Sequence, residues 1–449
     1  MTEYQKNDSL GTKTSLNLSK EIPFILTLKK KKNQLILTKG IMRGVINLDS
    51  LALELVNQFN VEYSQVSFKY NNQNEVLLQI SPPKPSQREL LRNTILEMIS
   101  KELPRTLTNK VTKKPMIYVT REVIGIPLIG SLYVGIIDRG TNVLQVRSIT
   151  GCPLNCPFCS VDEGPASKTK IRDYLVDPEY LAESYNFVVK TKGITNIEAH
   201  LDGQGEPMSY PYLLRLVDLL RENPATGIVS IQTNGWFLNK ELIDNLAEAG
   251  LTRINLSINA LEPSLAQKLA GRGDYPLKKI LKLAEYIAQS TIELIITPLW
   301  VPGLNDEAIS EIIKFAKKII KTSGRFPILG IQNYLRHYQG RNIPGVRSKS
   351  FPEFNQQLRR LEEKFEIKGL VLEPEMFGSY KTEMIPNPME VNEIVFGTVV
   401  LPGRLENEVL AIAKNRLIQV ADTDNSPRGS KIKIQITRNR HNIFFGKKV

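Results

Sequence analysis

Three cysteines within eight positions are the residues of this chain best suited to metal chemistry. Cys152, Cys156 and Cys159 lie in one segment, and the 449 residues contain no other cysteine. Three soft thiolate ligands suit zinc or an iron–sulfur cluster. Structural zinc takes four protein ligands, and none of the chain's three histidines lies at paired spacing with the cysteines. A cubane cluster tolerates three protein ligands, because its fourth iron can bind an exogenous molecule.

The elements that must position this segment alternate between strand and helix. The predicted strands are Leu144–Ile149, Ile194–Leu201, Ile228–Gln232, Arg253–Ile258, Ile292–Thr297 and Ile328–Gln332, and the helical stretches between them include Leu213–Arg221, Lys240–Ala249, Leu277–Ala288 and Glu307–Lys321. Such alternation builds parallel strands with right-handed crossovers. It predicts an α/β fold, a partial (βα)6 barrel, with the cysteines directly after its first strand and function at the carboxyl ends of the strands.

The cysteine spacing resembles the signature of the radical S-adenosylmethionine (SAM) superfamily. That signature is C-x3-C-x-Φ-C with an aromatic residue at Φ, and Cys152, Cys156, Phe158 and Cys159 match it. The resemblance covers residues 143 to about 340. It implies a [4Fe-4S] cluster on the three cysteines, SAM as cofactor and Phe158 beside them.

Further motifs agree with this resemblance in their order. Residues 202–207, Asp-Gly-Gln-Gly-Glu-Pro, resemble the superfamily's Gly-Gly-Glu element. The resemblance implies that Gly203 and Gly205 let the backbone approach SAM closely and that the Glu206 carboxylate binds the methionine ammonium. The third strand ends in Thr233 and Asn234, which are expected to contact SAM as well.

At the end of the fourth strand the family places contacts to the ribose of SAM. Ser257 and Asn259 lie two residues apart there, so both face the same side of the strand. The alternative is that they cap the following turn. Residues 301–305 resemble the family's adenine-facing loop.

The resemblance also implies a reaction and its partners. The reduced cluster would pass one electron to SAM, and the resulting 5′-deoxyadenosyl radical would take a hydrogen atom from the substrate. An electron donor such as ferredoxin or flavodoxin is then needed. Related methylthiotransferases, cysteine-dependent RNA methyl synthases and SPASM-type maturases require further cysteines, which this chain lacks. One cluster and SAM must therefore suffice, unless a partner protein supplies more.

After residue 388 the alternation gives way to short strands, typical of a small closed barrel of the oligonucleotide-binding (OB) kind. The predicted strands are Ile394–Val400, Glu408–Ala413, Arg416–Ala421 and Lys431–Thr437. Residues 397–400 and 431–442 resemble parts of the RNA-binding TRAM domain. The whole resemblance is closest to an archaeal-type group with this core-plus-TRAM layout, a group name that implies no substrate.

The predicted barrel offers a basic face. Alternation directs Lys431 and Lys433 to solvent, and with Arg438 and Arg440 they are the expected contacts to RNA phosphates. Phe444 and Phe445 either stack on bases or fill the barrel, and filling the barrel is favoured. Because SAM and cluster residues all precede about residue 305, we expect a truncation at 390 to leave SAM cleavage intact.

Two further groups of polar residues have no role implied by the motifs. Gln332, Asn333, Tyr334 and Arg336, followed by His337 and Tyr338, lie after the sixth strand and are the expected substrate contacts; the alternative is a solvated loop. His200 is expected to be a hydrogen-bonded wall residue rather than a catalytic one.

The charge distribution and the composition indicate how the rest of the chain is organised. The net charge is +13, and the excess lies at the two ends: residues 1–40 hold eight basic against three acidic residues, and residues 401–449 hold ten against four. The predicted organisation is a disordered tail (1–20), an N-terminal α+β domain (21–142), the radical SAM core (143–385) and a TRAM-like barrel (390–449). The polar start lacks the apolar segment of a signal peptide, and Val123–Ile137 is too short to span a membrane. We expect a cytoplasmic protein without membrane contact.

These features together predict radical modification of a structured RNA, most simply tRNA. A competing interpretation is a radical SAM enzyme for a small molecule or a protein, with the barrel used for oligomer or partner contacts. A distant third is a zinc-stabilised RNA-binding protein.

Overall fold

The computed structural model describes residues 14–22, 24–81, 87–323, 329–423 and 426–449. These form two compact units. The first ends at Lys110 and also takes in Pro115–Ile117, and the second contains Val111–Lys114 and the described residues from Tyr118 onward. The division lies before the predicted domain boundary at residue 142, because the strand Gly135–Asp138 already pairs with Val143–Arg147 in the sheet of the second unit.

The first unit is α+β, as predicted. One sheet has the order β1-β6-β5 and the other β2-β3-β4-β7, and apolar side chains of strands and helices share one core. Residues 29–32 are four consecutive lysines, and the last three of them form an exposed turn, Lys30–Lys32, between β2 and β3. The elements are β1 (Thr14–Asn17), α1 (Leu18–Glu21), β2 (Ile25–Lys29), β3 (Gln34–Lys39), β4 (Met42–Asn47), α2 (Leu48–Phe59), β5 (Val66–Tyr70), β6 (Val76–Ile80), α3 (Arg88–Thr106) and β7 (Thr108–Asn109).

The prediction of a disordered tail is wrong for residues 14–20. Thr14–Asn17 pairs with β6, and Leu16 and Leu18 are 1% and 0% exposed in the core. Two leucines two residues apart supply the apolar face that a strand end needs, although the surrounding polar composition hides it. Residues 1–13 lie outside the described part of the chain.

The second unit is built on a six-stranded sheet of order β15-β14-β13-β12-β10-β9. Five strands are parallel in chain order, and β9 is antiparallel to β10. The α/β prediction is therefore confirmed, with an added edge strand drawn from the apolar stretch that precedes the first predicted strand. From residue 116 to the C-terminal barrel the elements are β8 (Met116–Val119), α4 (Arg121–Ile124), β9 (Gly135–Asp138), β10 (Val143–Arg147), β11 (Asp173–Val176), α5 (Pro178–Lys192), β12 (Ile197–Leu201), α6 (Leu213–Arg221), β13 (Thr226–Thr233), α7 (Lys240–Glu248), β14 (Arg253–Leu256), α8 (Pro263–Ala270), α9 (Leu277–Gln289), β15 (Glu293–Ile296), β16 (Leu299–Trp300), α10 (Asp306–Ser323), β17 (Gln332–Asn333) and α11 (Phe351–Phe365).

Local sequence explains why the crossover helices begin where they do. Asp177 caps α5, accepting from the Tyr180 N–H, and Asn239 caps α7 in the same way. A side-chain oxygen at this position satisfies a backbone donor that the helix leaves unpaired. Each of these caps therefore fixes the path of the chain from a strand end into its helix.

The sixth strand is shorter than predicted. Ile328 lies outside the described residues, Leu329 bridges to Ile296, and β17 pairs in parallel with β16. Polar residues at 332 and 333 mark the end of the buried run.

The C-terminal strands close into a barrel of order β18-β19-β20-β22-β21. The alternation predicted for β21 is present: its three isoleucines are buried in the barrel core, and its two lysines are exposed. The strands are β18 (Ile394–Pro402), β19 (Val409–Ala413), β20 (Arg416–Ala421), β21 (Lys431–Arg438) and β22 (Phe444–Lys448).

The barrel is not an independent unit. Backbone bonds join Leu417 N to Ile129 O (2.9 Å) and Phe444 N to Gly130 O (2.9 Å). A Cβ on Gly130 would overlap the Leu417 carbonyl, so only glycine allows this approach. The expectation that the barrel can be removed without effect on the core is therefore contradicted by the packing.

Among the described residues no helix is long and apolar enough to cross a membrane.

Candidate active site

The carboxyl ends of the parallel strands open into a cavity of about 500 Å³. Such strand ends are where barrel enzymes of this architecture carry their function. The cavity brings together nearly all of the residues that the sequence singles out for cluster and SAM binding. Those in its wall are Cys152, Cys156, Phe158, Gly203, Gly205, Glu206, Thr233, Asn234, Ser257 and Asn259, together with the substrate candidate Gln332.

The three cysteines lie on the loop after β10, where the sulfurs of Cys152 and Cys159 accept hydrogen bonds and the Cys156 thiol donates one to Ala270 O at 3.9 Å. Cys152 Sγ accepts from the Leu154 N–H at 3.4 Å and from Asn234 Nδ2 at 3.5 Å. Cys159 Sγ accepts from the Glu163 N–H at 3.3 Å. Donors aimed at sulfur stabilise thiolates, and hydrogen bonds to the sulfurs help to set the potential of iron–sulfur clusters. Two of the three sulfurs thus accept hydrogen bonds of the kind that stabilise a thiolate.

Burial opposes ionisation of the Cys152 and Cys156 thiols. It raises the pKa of Cys152 well above the ordinary range and that of Cys156 to about 12, with the neighbouring thiolates adding to the effect. Binding of a metal removes the proton from a coordinating thiol outright. The site therefore favours a ligand that supplies positive charge.

Two backbone segments lie in close contact with the cysteine loop. A Cβ on Gly205 would overlap the carbonyl oxygen of Gly151, and one on Gly271 would overlap that of Asn155. Gly271 also ends α8 with a φ of +62°, a conformation that side chains disfavour. These two glycines let the β12 exit and the end of α8 lie directly against the loop.

Glu206 organises the neighbouring strand end. It is 2% exposed, and its carboxylate accepts from the Met208 N–H (2.9 Å), Thr233 Oγ1 (2.7 Å) and the Asn234 N–H (2.8 Å). Burial raises its pKa to about 7, against these hydrogen bonds. A carboxylate has about four acceptor positions, so roughly one stays available toward the cavity. Glu206 thus links the segment after β12 to the end of β13 through these hydrogen bonds, a role that the sequence did not indicate.

Asn234 links the strand end to the cysteine loop. Its Oδ1 accepts from the Trp236 N–H (2.9 Å), which fixes the side chain so that Nδ2 meets the thiol of Cys152. Thr233 in turn accepts from the Gly235 N–H at 3.1 Å. Both predicted residues are therefore held in place by local turn geometry.

Ser257 and Asn259, at the end of the fourth strand, both lie in the cavity wall, and Asn259 also supports the following turn. Ser257 Oγ accepts from Gln232 Nε2 at 3.0 Å, and its hydroxyl proton is free to reorient. Asn259 Oδ1 accepts from the Leu299 N–H at 2.8 Å, so part of its side chain performs the turn-capping role that was the alternative. Asn305, from the predicted adenine-facing loop, is 2% exposed and bonds to Asn259 O and Leu299 O. None of residues 301–305 lies in the described cavity wall.

Three cavity residues have roles that the motifs did not indicate. Tyr275 donates its hydroxyl to Asn234 O (3.2 Å), and burial raises its pKa. His200 Nδ1 is 2.7 Å from Ser230 Oγ, the hydrogen-bonded wall position that was expected. Ala270 O accepts the Asn155 N–H (2.9 Å) behind the loop. Tyr275 and Ala270 lie outside any strand end, so no pattern marks them.

The predicted substrate residues separate into three groups. Gln332 lines the cavity, whereas Tyr334 is buried and accepts from the Ile343 N–H at 3.1 Å. Asn333 bonds to Lys349 O, and the Arg336 backbone bonds to Ser348 Oγ. Asn333, Tyr334 and Arg336 lie outside the described wall of this cavity, because the chain turns away from it after residue 332, and substrate contact by these three stays a prediction.

The predicted RNA contacts on the barrel are accessible. Lys431, Lys433, Arg438 and Arg440 are exposed, and none of them forms an ion pair with another residue of the described chain. Phe444 is 0% exposed in the barrel core, as favoured, whereas Phe445 is only half-buried, with the Arg438 guanidinium 5.5 Å from its ring centroid.

The donor set fits a cluster better than one ion. In the described part of the chain no three His, Cys, Asp or Glu side chains converge on a position that could hold a single metal ion. Three soft thiolate donors on one loop suit an iron–sulfur cluster, and the adjoining cavity leaves space for a further ligand of that group.

Comparison with known proteins agrees with this geometry. The family model for the radical SAM superfamily matches residues 146–316. The uncharacterized protein MJ0103 of Methanocaldococcus jannaschii is 44% identical over 378 residues, which cover 80% of this chain and 87% of that protein. GTP 3′,8-cyclase of Aquifex aeolicus is 27% identical over 183 residues, 41% of this chain and 55% of the cyclase, so the match spans about half of that enzyme.

Among solved structures, Streptococcus suis SuiB bound to S-adenosylmethionine aligns with a TM-score of 0.35 and 16% identity, over 75% of this chain and 68% of SuiB. The chain belongs to the family of MJ0103 and, with a radical SAM domain across its parallel sheet, is a radical SAM enzyme, of a superfamily that uses a [4Fe-4S] cluster and S-adenosylmethionine.

Proposed function

We propose that Cys152, Cys156 and Cys159 are the three protein ligands of one [4Fe-4S] cluster and that SAM binds in the adjoining cavity. The observation that carries this proposal is the convergence of the cysteine loop with the ends of β12, β13 and β14 on that single cavity. When bound, the reduced cluster and SAM supply a 5′-deoxyadenosyl radical that takes a hydrogen atom from the substrate.

The protein's share is to hold and shield the reactants. Glu206 keeps one acceptor position toward the methionine end of SAM, where a buried carboxylate pairs strongly with an ammonium group. Gly203 and Gly205 leave the β12 exit without side chains, so the backbone itself lines this part of the cavity. Ser257 and Asn259 offer hydrogen-bonding groups on the opposite side, toward the ribose.

Apolar side chains complete the cavity and exclude water. Phe158, Leu154 and Ala266 lie in its wall beside the polar groups. A radical reacts with whatever hydrogen donor it meets, so exclusion of water and oxygen limits side reactions. The cluster also needs reducing surroundings and an electron donor, so a cytoplasmic location and a ferredoxin or flavodoxin partner belong to this proposal.

The substrate in this proposal is a structured RNA, most simply tRNA. The supporting observation is the closed barrel, which carries lysines and arginines on the exposed face of β21 and beyond, with no ion pair to another described residue. Small closed barrels with basic faces and aromatic residues are common platforms for single-stranded nucleic acid. The resemblance of this barrel to a TRAM domain points in the same direction.

The cofactor assignment is tested by anaerobic reconstitution. Wild-type protein should bind about four iron and four sulfide per chain, and dithionite should bleach the visible absorbance. Cys152→Ala, Cys156→Ala and Cys159→Ala should each lose cluster binding. One retained zinc per chain after anaerobic purification, without iron, would instead support a zinc-stabilised RNA-binding protein.

The substrate is tested by nucleoside profiling of RNA from a deletion strain. A modified nucleoside should disappear in the mutant and return with wild-type protein, but not with Cys156→Ala. An unchanged profile would contradict the RNA proposal and favour a small-molecule or protein substrate.

A further inference from the structure

A second cavity, of about 550 Å³, lies where the barrel meets the core. Its wall is assembled from distant parts of the chain: the loop after β9, the cysteine loop, the segment after β17 and the last two barrel strands. Its wall includes Arg139, Arg147, Ser160, Tyr338, Arg438 and Phe445.

The charge in this wall is strongly positive and only partly compensated. Arg147 pairs with Asp202 (3.1 Å). Arg139 bonds to the neutral Gln145 at 2.8 Å, and within the described residues neither it nor Arg438 has a carboxylate partner. Burial, and then the nearby arginines, lower the pKa of Arg139. With Asp202 the acid paired here, the arginines still outnumber it, and like charges of this kind are stabilised when an anion binds between them.

Two aromatic residues accompany these cations. Phe445 is half-buried in the wall and Tyr338 is fully exposed at 102%. Arginines that bind phosphate beside aromatic rings that stack on bases are the combination that single-stranded nucleic acid requires. A free inorganic anion has no base that could stack on these rings.

The second cavity adjoins the SAM cavity. Ser160, one residue after Cys159, lines both. At the β12 exit, Gln204 faces the second cavity while Gly203 and Gly205 face the first. A ligand held at the arginines can therefore extend a neighbouring group toward the site of hydrogen abstraction.

We propose that this second cavity is a nucleotide subsite, in which Arg139 and Arg438 bind a backbone phosphate of the RNA substrate and Phe445 stacks on an adjacent base. The inference rests on the proposed function, because it takes RNA as the substrate. It adds where the RNA enters and which residues position it next to SAM.

The test measures binding of tRNA from the deletion strain to the reconstituted full-length enzyme over a range of salt concentrations. Arg139→Gln and Arg438→Gln should each weaken binding about tenfold and lower the log–log salt slope by about one, since each removes one phosphate contact. Phe445→Leu should weaken binding about tenfold with the slope unchanged, because stacking releases no counterions. Arg438→Lys should keep the slope.

Arg428→Gln is the matched control, an exposed arginine on the turn before β21, and it should bind like wild type. The proposal is overturned if the cavity variants match this control, with iron content confirming that they fold. A parallel titration with a nucleoside triphosphate distinguishes failure of the subsite from failure of the proposed RNA function. If tRNA does not bind but the triphosphate does, in a manner lost in Arg139→Gln, the subsite stands and the RNA function fails. If wild-type enzyme binds tRNA but neither ligand depends on these residues, the subsite fails and the RNA function stands.

Discussion

Arg404 of the barrel forms a buried ion pair with Glu163, which lies four residues after Cys159. The guanidinium also contacts Asp173 Oδ1 at 2.9 Å, and Arg404 is 0% exposed. Because the Glu163 N–H donates to the Cys159 thiol, the β18–β19 loop of the barrel reaches the cysteine loop through a single intermediate residue.

Removing Arg404 should therefore affect both stability and the cluster. Arg404→Leu leaves two carboxylates buried without their cation, a loss that costs about 3–5 kcal/mol. We expect a lower denaturation midpoint and faster loss of cluster absorbance. Arg428→Leu, at an exposed site, should change stability by less than about 0.5 kcal/mol. Equal behaviour of the two variants would show that the Arg404 contact is dispensable.

Deletion of residues 390–449 should not leave a working core. The deletion removes Arg404 and also Glu408, whose carboxylate accepts from Tyr133 at 3.0 Å. We expect poor iron incorporation and little 5′-deoxyadenosine. Full iron content in the truncated protein would mean that the core folds without the barrel, as the sequence alone suggested.

The sequence predicted the parts of this molecule that depend on local patterns. The cysteine spacing, the strand ends and the alternation in β21 each involve residues within a few positions of one another, so their geometry follows from strand and turn rules. The docking of Arg404 onto Glu163 joins residues more than two hundred positions apart. Nothing in either local segment distinguishes a buried arginine from a solvated one.

Asn234 should tune the cluster. Its Nδ2 donates to Cys152 Sγ at 3.5 Å, and a donor to a cluster sulfur stabilises the reduced state. Asn234→Ala should shift the midpoint potential to more negative values, by tens of millivolts, in a spectroscopic redox titration without SAM. Ser257→Ala, in the same cavity but without a described thiol contact, should leave the potential unchanged. A shift of equal size in both variants would assign the effect to the cavity in general.

Gly205 should tolerate no side chain. A Cβ there would overlap the backbone of Gly151 beside the first cysteine, and forced backbone shifts cost about 1–3 kcal/mol. We expect Gly205→Ala to lose cluster and SAM binding together. Gly273→Ala, where a Cβ meets open space, is the control. Normal SAM binding by Gly205→Ala would show that the close approach has no functional role.

The arginines of the second cavity show the same limit of sequence analysis. Arg438 was expected to contact RNA as part of the basic C-terminal segment, but Arg139 carries no motif and lies about three hundred residues earlier. Only the packing of the barrel on the sheet brings the two to one cavity.

The most direct test of the account is the yield of 5′-deoxyadenosine in an anaerobic reaction of reconstituted enzyme, SAM and dithionite with two pools of tRNA. We expect the yield to rise with tRNA from the deletion strain, whose target position is unmodified, and to stay at the level without RNA when tRNA from the wild-type strain is added. Equal yields with both pools, or no 5′-deoxyadenosine at all, would contradict the account.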